Sequence, residues 1–205
     1  KLRAGVRLDP SSASLWEALG EAQQRSGLAR PAAESFARAA ALGSVSPAAL
    51  LPLARSAQRE GRHAEAAGWL ATLAGDAGAM EDAALSAAVH TMLGESLIEA
   101  GYLAAGAAAL ERGLDLPRSF TGPTPYSEEL GEVLRRRSDL WRLAGDTLCR
   151  VGRYESALSA YEEAGKHPSL DAAGLLPRRV YAAVRLWRPA RAAMAIHEEV
   201  TREDG

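Results

Sequence analysis

The chain has 205 residues, of which 47% are hydrophobic and 24% are charged, and these fractions are typical of a folded protein and exclude general disorder. Its formal net charge is −2, so nucleic-acid binding lacks a general electrostatic drive. Cys149 is the single cysteine, which excludes a disulfide framework within the chain, and no apolar run approaches the roughly 18 residues of a membrane span.

The first predicted elements are two amphipathic helices separated by a glycine. Small and apolar residues recur at intervals of three and four, which is the spacing of one helix face. A glycine between the two runs is typical of a left-handed residue that ends a helix. The small and apolar residues of the two runs are Trp16, Leu19, Gly20, Ala32, Phe36 and Ala39, and Gly27 is the glycine between the runs.

The same pattern returns three more times along the chain. The second copy follows after 34 residues, the third after 40 and the fourth after 51. A period of this length predicts a stack of helix pairs, because one pair cannot bury both of its faces. Gly20, Gly94 and Gly145 fall inside predicted helices, where glycine costs about 1 kcal/mol relative to alanine, so we expect a close helix contact at each.

The order of Trp, Leu-Gly, Gly, Ala, Phe and Ala resembles the tetratricopeptide repeat. Trp16-x-x-Leu19-Gly20 and Ala32-x-x-x-Phe36-x-x-Ala39 carry the best match, and the resemblance covers most of the chain. It implies an all-α fold, a right-handed superhelical solenoid of antiparallel helix pairs with about four to five repeats. The resemblance further implies that the first helices of successive repeats line a groove for another protein.

The copies predict a division of the chain into repeats. The segments are 1–11, the end of a preceding repeat; 12–45, repeat 1; 46–80, repeat 2; 81–117, repeat 3; 118–137, an insertion or extended helix; 138–170, repeat 4; and 171–205, a divergent fifth repeat or C-terminal cap. In the last segment Pro177 and Arg178 replace the expected Leu-Gly pair. The sequence begins at Lys1 and not at Met, which predicts that the N-terminus of a longer protein is missing. The compartment stays open, with the cytoplasm weakly favoured.

Two of the spacings exceed 34 residues and predict additional structure. The first places a longer loop near residues 75–82. The second contains several prolines and then Ser127, a helix N-cap residue followed by two glutamates. We expect either one unusually long helix running to Arg150 or a short extra helix before repeat 4. Phe120 and Tyr126 are then either exposed anchors for a partner or aromatics folded back on the neighbouring repeat.

The residue types that carry catalysis or bind metals are scattered. The four histidines lie in different repeats without a metal-binding spacing, and no histidine lies near Cys149 in sequence to act as a base. Arg150 next to Cys149 would lower the thiol pKa if its guanidinium were close. The run 135–137 is basic, but glutamates one or two turns earlier favour an ion-paired helix. We therefore expect no enzyme activity, no cofactor and no small-molecule substrate.

The resemblance places a set of side chains in the groove by register. From the four copies these are Glu17, Glu21, Gln24 and Arg25; Leu51, Arg55, Gln58 and Arg59; Thr91, Glu95, Ile98 and Glu99; and Arg142, Asp146, Cys149 and Arg150. Acidic and basic bands alternate, which favours a peptide or helix of mixed charge over a polyanion.

The sequence therefore predicts a protein-interaction scaffold within a larger assembly. The groove lacks the Asn and Lys residues with which related repeats grip acidic chaperone tails, so we do not expect that use. Two alternatives remain, a non-catalytic accessory region of a larger enzyme and an RNA-binding helical repeat. Because the net charge of the chain is negative, RNA binding is the weaker of these two alternatives.

Overall fold

The computed structural model describes residues 1–115, 125–166, 172–187, 192–194 and 196–197. Within these residues the chain forms α-helices, one short 3₁₀ helix and the turns between them. The α-helices are α1 Leu2–Leu8, α2 Ala13–Arg25, α3 Ala29–Ala41, α4 Pro47–Arg59, α5 His63–Ala74, α6 Ala83–Glu99, α7 Leu103–Leu114, α8 Ser127–Arg135, α9 Arg137–Arg150, α10 Tyr154–Gly165 and α11 Ala172–Arg185. Among the described residues, none of the helices is both long and apolar enough to cross a lipid bilayer.

Side-chain caps start the first helix of three pairs. The Ser12 hydroxyl accepts a hydrogen bond from the Leu15 N–H of α2 at 3.3 Å, and Ser46 caps α4 through Ala49 at the same distance. The Asp82 carboxylate accepts hydrogen bonds from the backbone N–H groups of Ala84 and Leu85 in the first turn of α6. These oxygens satisfy backbone donors that have no partner inside the helix.

Left-handed glycines end the first helices, as the sequence predicts. Gly27 and Gly61 both have φ near 73°, and Gly101 and Gly152 follow α6 and α9 with φ of 91° and 78°. A side chain at such a φ is strained, whereas glycine adopts it freely. Each glycine therefore lets the chain reverse within a few residues into the second helix of the pair.

The helices pack in sequence order as pairs, α2 with α3, α4 with α5, α6 with α7 and α9 with α10. Each pair also contacts the next one, through α3 and α4, α5 and α6, α7 and α9, and α10 and α11. Because each helix pair touches the next pair along the chain, the array is a solenoid.

Glycines inside the first helices allow the close contact within each pair. A Cβ atom at Gly20 would lie 2.7 Å from the ring of Phe36, and one at Gly94 would lie 2.6 Å from Leu110 Cγ. Gly145 faces the ring of Tyr161 in the same way. Phe36 and Leu110 are fully buried, so the expectation of a close helix contact at these glycines is confirmed.

The two longer spacings contain extra elements. The 3₁₀ helix Ala79–Glu81 lies in the first. In the second, α8 and α9 are separate helices divided at Arg136, which corresponds to the short extra helix among the two alternatives. Phe120 lies outside the described residues. Tyr126 is half-buried beside Ala84, Ala87 and Leu130, which is the folded-back arrangement and not an exposed anchor. The residue limits of the repeats stay a prediction.

Candidate functional site: the inner face of the solenoid

The predicted groove residues all lie on α2, α4, α6 and α9, the first helices of their pairs. We call the surface formed by these helices the inner face. On α2, Glu21, Gln24 and Arg25 are exposed, and Glu21 and Arg25 form an ion pair of 3.8 Å. Because both side chains of this ion pair are exposed to solvent, the pair contributes little to the stability of the fold. Both charges also remain accessible to a ligand.

An open cavity of about 580 Å³ lies between α2, α4 and the start of α8. We call it the N-terminal cleft. Its α4 side is lined by Pro47, Pro52 and Arg55, and the opposite side is lined by Tyr126, just before α8, and by Glu129 of α8. Burial raises the pKa of the Tyr126 hydroxyl. A concave surface that combines apolar and charged side chains is typical of ligand sites.

A proline inside α4 removes one helical hydrogen bond beside the cleft. Pro52 has no N–H, so the carbonyl of Ala48, four residues earlier, lacks its usual helical donor. Ala48 is exposed, and both residues line the cleft.

The middle of the inner face is covered by α8. Arg55 of α4 donates to the Glu129 carboxylate of α8 at 3.0 Å. At the other end of the helix, Arg136 binds Glu95 of α6, and this hydrogen bond raises the pKa of the Arg136 guanidinium. Two predicted groove residues, Arg55 and Glu95, are therefore already bound within the chain.

Other predicted groove residues hold the solenoid together. The Glu17 carboxylate accepts from the Ser46 hydroxyl at 2.9 Å and also from Ser44, which fixes the loop before α4. Gln58 donates to the Ser96 hydroxyl at 2.9 Å and to a carbonyl of α6, joining α4 to α6. These side chains connect one repeat to the next.

Three groove predictions need correction because the side chains are buried. Ile98 is buried, because it packs on Gly106 of α7, where the missing side chain permits close approach. Thr91 is also buried, and its hydroxyl donates to the carbonyls of Ala87 and Ala88. Leu51 is only 5% exposed, although it contributes to the floor of the N-terminal cleft.

The α9 section of the inner face forms a hydrogen-bonded cluster around Asp146. Tyr161 donates its hydroxyl proton to this carboxylate at 2.9 Å, and Arg178 of α11 donates through Nε at 2.8 Å. Arg142 lies 3.5 Å away on its own helix. In the sequence, Arg178 is notable only because it departs from the repeat pattern. No residue near it in the chain indicates that it pairs with Asp146.

The half-buried Cys149 adjoins this cluster, with its sulfur 3.6 Å from the Tyr161 hydroxyl. Burial raises the pKa of its thiol. The thiolate is therefore disfavoured, which is the opposite of the activation that a close Arg150 would produce. On the open parts of the inner face, Arg59, Glu99 and Arg150 are exposed.

The described residues contain no group of three or more His, Cys, Asp or Glu side chains that could hold a metal ion. His90, which occupies the position of Trp16 and Trp141, has its Nδ1 at 2.9 Å from the carbonyl oxygen of Ser86 in its own helix. This contact with its own helix holds the imidazole ring of His90 in place.

No protein-family model matches the sequence, and no curated protein matches it. Solved structures do match its fold. YrrB, described as a TPR protein with an unusual peptide-binding site, has a TM-score of 0.62 at 12% identity, covering 98% of this chain and 91% of YrrB. The MamA protein has a TM-score of 0.60 at 16% identity, covering 94% and 92%.

A chain of the Naa15/Naa10 complex bound to HypK has a TM-score of 0.56 at 18% identity, covering 98% of this chain and 28% of that longer chain. At such identities the likeness concerns the fold. The fold is an all-α solenoid of the tetratricopeptide-repeat type, and the expectation from the sequence is confirmed.

Proposed function

We propose that this chain is a protein-interaction scaffold that binds a partner peptide on its inner face, with the N-terminal cleft as the primary site. The observation that carries the proposal is the cleft itself, an open cavity of about 580 Å³ at the position where the repeat register places ligand contacts. Catalysis has no part in this function.

The walls of the cleft suit an extended peptide. Pro47 and Pro52 offer an apolar surface for one side chain. On the rim, Glu21 and Arg25 carry opposite charges within reach of flanking residues. A peptide with an apolar anchor between charged residues of both signs fits these features.

The solved structures of similar fold support this use. The description of YrrB names a peptide-binding site, and Naa15/Naa10 is described in a complex with HypK. Both descriptions concern those proteins, and for this chain they make binding of a protein ligand the first function to test.

Site-specific photo-crosslinking tests the proposal. A benzoylphenylalanine at Gln24 places the probe at the cleft, and the same probe at Glu34 places it on the exposed side of α3. After irradiation in cells that naturally produce the protein, we expect a protein adduct at position 24 that is absent at position 34. Equal adducts at both positions, no adduct at position 24, or an adduct with RNA alone would overturn the proposal.

A pair of matched substitutions strengthens the test. Ala48→Arg puts a long side chain into the cleft, whereas Ala37→Arg makes the same change at an exposed position of α3. The adduct at position 24 should disappear with Ala48→Arg and persist with Ala37→Arg. Because both positions are exposed alanines on helices, a difference between them reports on the cleft and not on folding.

A further inference from the structure

We infer that α8 is this chain's own ligand for the middle of the inner face, and that a partner amphipathic helix with the pattern of α8 takes its place. The pattern is a carboxylate near the N-terminal end, two aliphatic residues three positions apart and a guanidinium at the C-terminal end. The inference rests on the proposed function and extends it from an extended peptide in the cleft to a helix beside it.

The contacts of α8 are those of a helix bound in a groove. Leu130 and Val133 are 6% and 5% exposed, and their spacing puts both on one face of the helix. Leu130 packs in one cluster with Ala84 and Ala87 of α6. Because these alanines are small, α8 lies close to α6 and presents its apolar stripe to it.

Ion pairs fix the direction of α8 on the inner face. Glu129, near its N-terminal end, binds Arg55 of α4, and Arg136, at its C-terminal end, binds Glu95 of α6. A helix laid in the reverse direction would place Glu129 towards Glu95 and Arg136 towards Arg55. The two charges of the receptor surface therefore select one orientation of the ligand.

The fit of α8 against α4 is incomplete. A second cavity of about 230 Å³ remains between α8, α4 and α6, with Gln58, Arg59 and Met92 in its walls. The ion pair of Arg55 with Glu129 bridges the two helices where apolar packing is missing. A partner helix with larger side chains would fill this space and bind better than α8 does.

The connection to α9 gives α8 another conformation to adopt. No proline lies between Ser127 and Arg150, and the break at Arg136 consists of one residue with φ −99° and ψ 7°. With nine residues, α8 is shorter than the roughly 12 residues at which an isolated helix begins to be stable. When a partner displaces it, α8 can continue the axis of α9.

Competition with a labelled peptide tests the inference. The probe is a synthetic peptide of residues 125–137, made helical by a side-chain staple between the exposed positions 128 and 132. The receptors are the full chain, its Leu130→Ser/Val133→Ser variant and, as control, its Glu128→Ser variant. Because the tethered α8 competes at high effective concentration, we expect at least about tenfold tighter binding to the double variant, with the control equal to wild type.

A charge exchange shows whether the peptide occupies the proposed surface. In the double variant, Arg55→Glu should weaken binding at least about fivefold, and a peptide carrying Glu129→Arg should recover it. Hydrogen exchange of α2 to α7 checks that each variant keeps its fold. If the double variant does not fold, the single variant Glu129→Arg provides the same comparison with wild type.

The outcomes separate the two proposals. Equal binding of the peptide to wild type and variant, or binding unaffected by Arg55→Glu, overturns the inference about α8. Crosslinking of a protein at Gln24 would in that case still support the cleft as a binding site. Absence of the crosslink together with tighter peptide binding by the variant would instead restrict ligand binding to the middle of the inner face.

Discussion

Gly94 provides a sensitive test of the packing within a repeat. It lies in α6 where this helix meets α7, and a Cβ atom there would lie 2.6 Å from Leu110 Cγ and 2.9 Å from the backbone oxygen of Gly106. Leu110 is fully buried, and the Gly106 oxygen belongs to a helix backbone, so neither can move aside easily. Gly94→Ala should therefore push α6 and α7 apart.

The expected magnitude follows from two opposing effects. An additional methyl group in a packed core destabilises by about 1–3 kcal/mol, whereas alanine favours the helix over glycine by about 1 kcal/mol. Since backbone as well as side chain blocks the methyl group, we take the upper end and expect a net loss of about 2 kcal/mol in the free energy of unfolding. For a chain of this length the melting temperature should fall by about 4–8 °C.

Gly68→Ala is the matched control, because Gly68 lies within α5 and an added Cβ meets nothing within 4 Å. This variant should gain up to about 1 kcal/mol from helix propensity alone. Urea unfolding followed by far-ultraviolet circular dichroism measures both. If Gly94→Ala were as stable as Gly68→Ala, the close approach of α6 and α7 would be refuted. Gly20→Ala, which meets the Phe36 ring, repeats the test in the first pair.

Two more predictions concern a helix cap and the cysteine. Ser46→Ala removes the N-cap of α4 and its bond to Glu17, and should lower the free energy of unfolding in urea by about 1 kcal/mol. Because burial raises the pKa of Cys149, its alkylation in the native chain should require a higher pH than in the urea-unfolded chain. The folded thiol holds its proton more tightly, so stability should fall as the pH rises above about 8.5. If the midpoint of the pH dependence of alkylation were at the same or a lower pH in the native chain than in the unfolded chain, the prediction would be contradicted.

The candidate site could be predicted from the sequence in part. The register predicts α2, α4, α6 and α9 as the helices of the inner face, and Glu21, Gln24 and Arg25 of α2 are exposed. It does not show which side chains are already bound. Gln58 joins α4 to α6, and Asp146 accepts from a residue 32 positions away. Such pairs depend on how the repeats stack, and neither residue carries a local signal of its partner.

The sequence by itself determined the repeat period, the helix ends and the small residues at helix contacts. These features are local, so single residues such as Gly27 and Gly20 reveal them through backbone conformation and size. The tertiary structure alone decided where α8 lies. The residues before and after Arg136 both favour a helix, so the sequence leaves open whether they form one helix or two. Contacts between distant residues, such as Arg55 with Glu129, 74 positions apart, hold α8 on the inner face as a helix separate from α9.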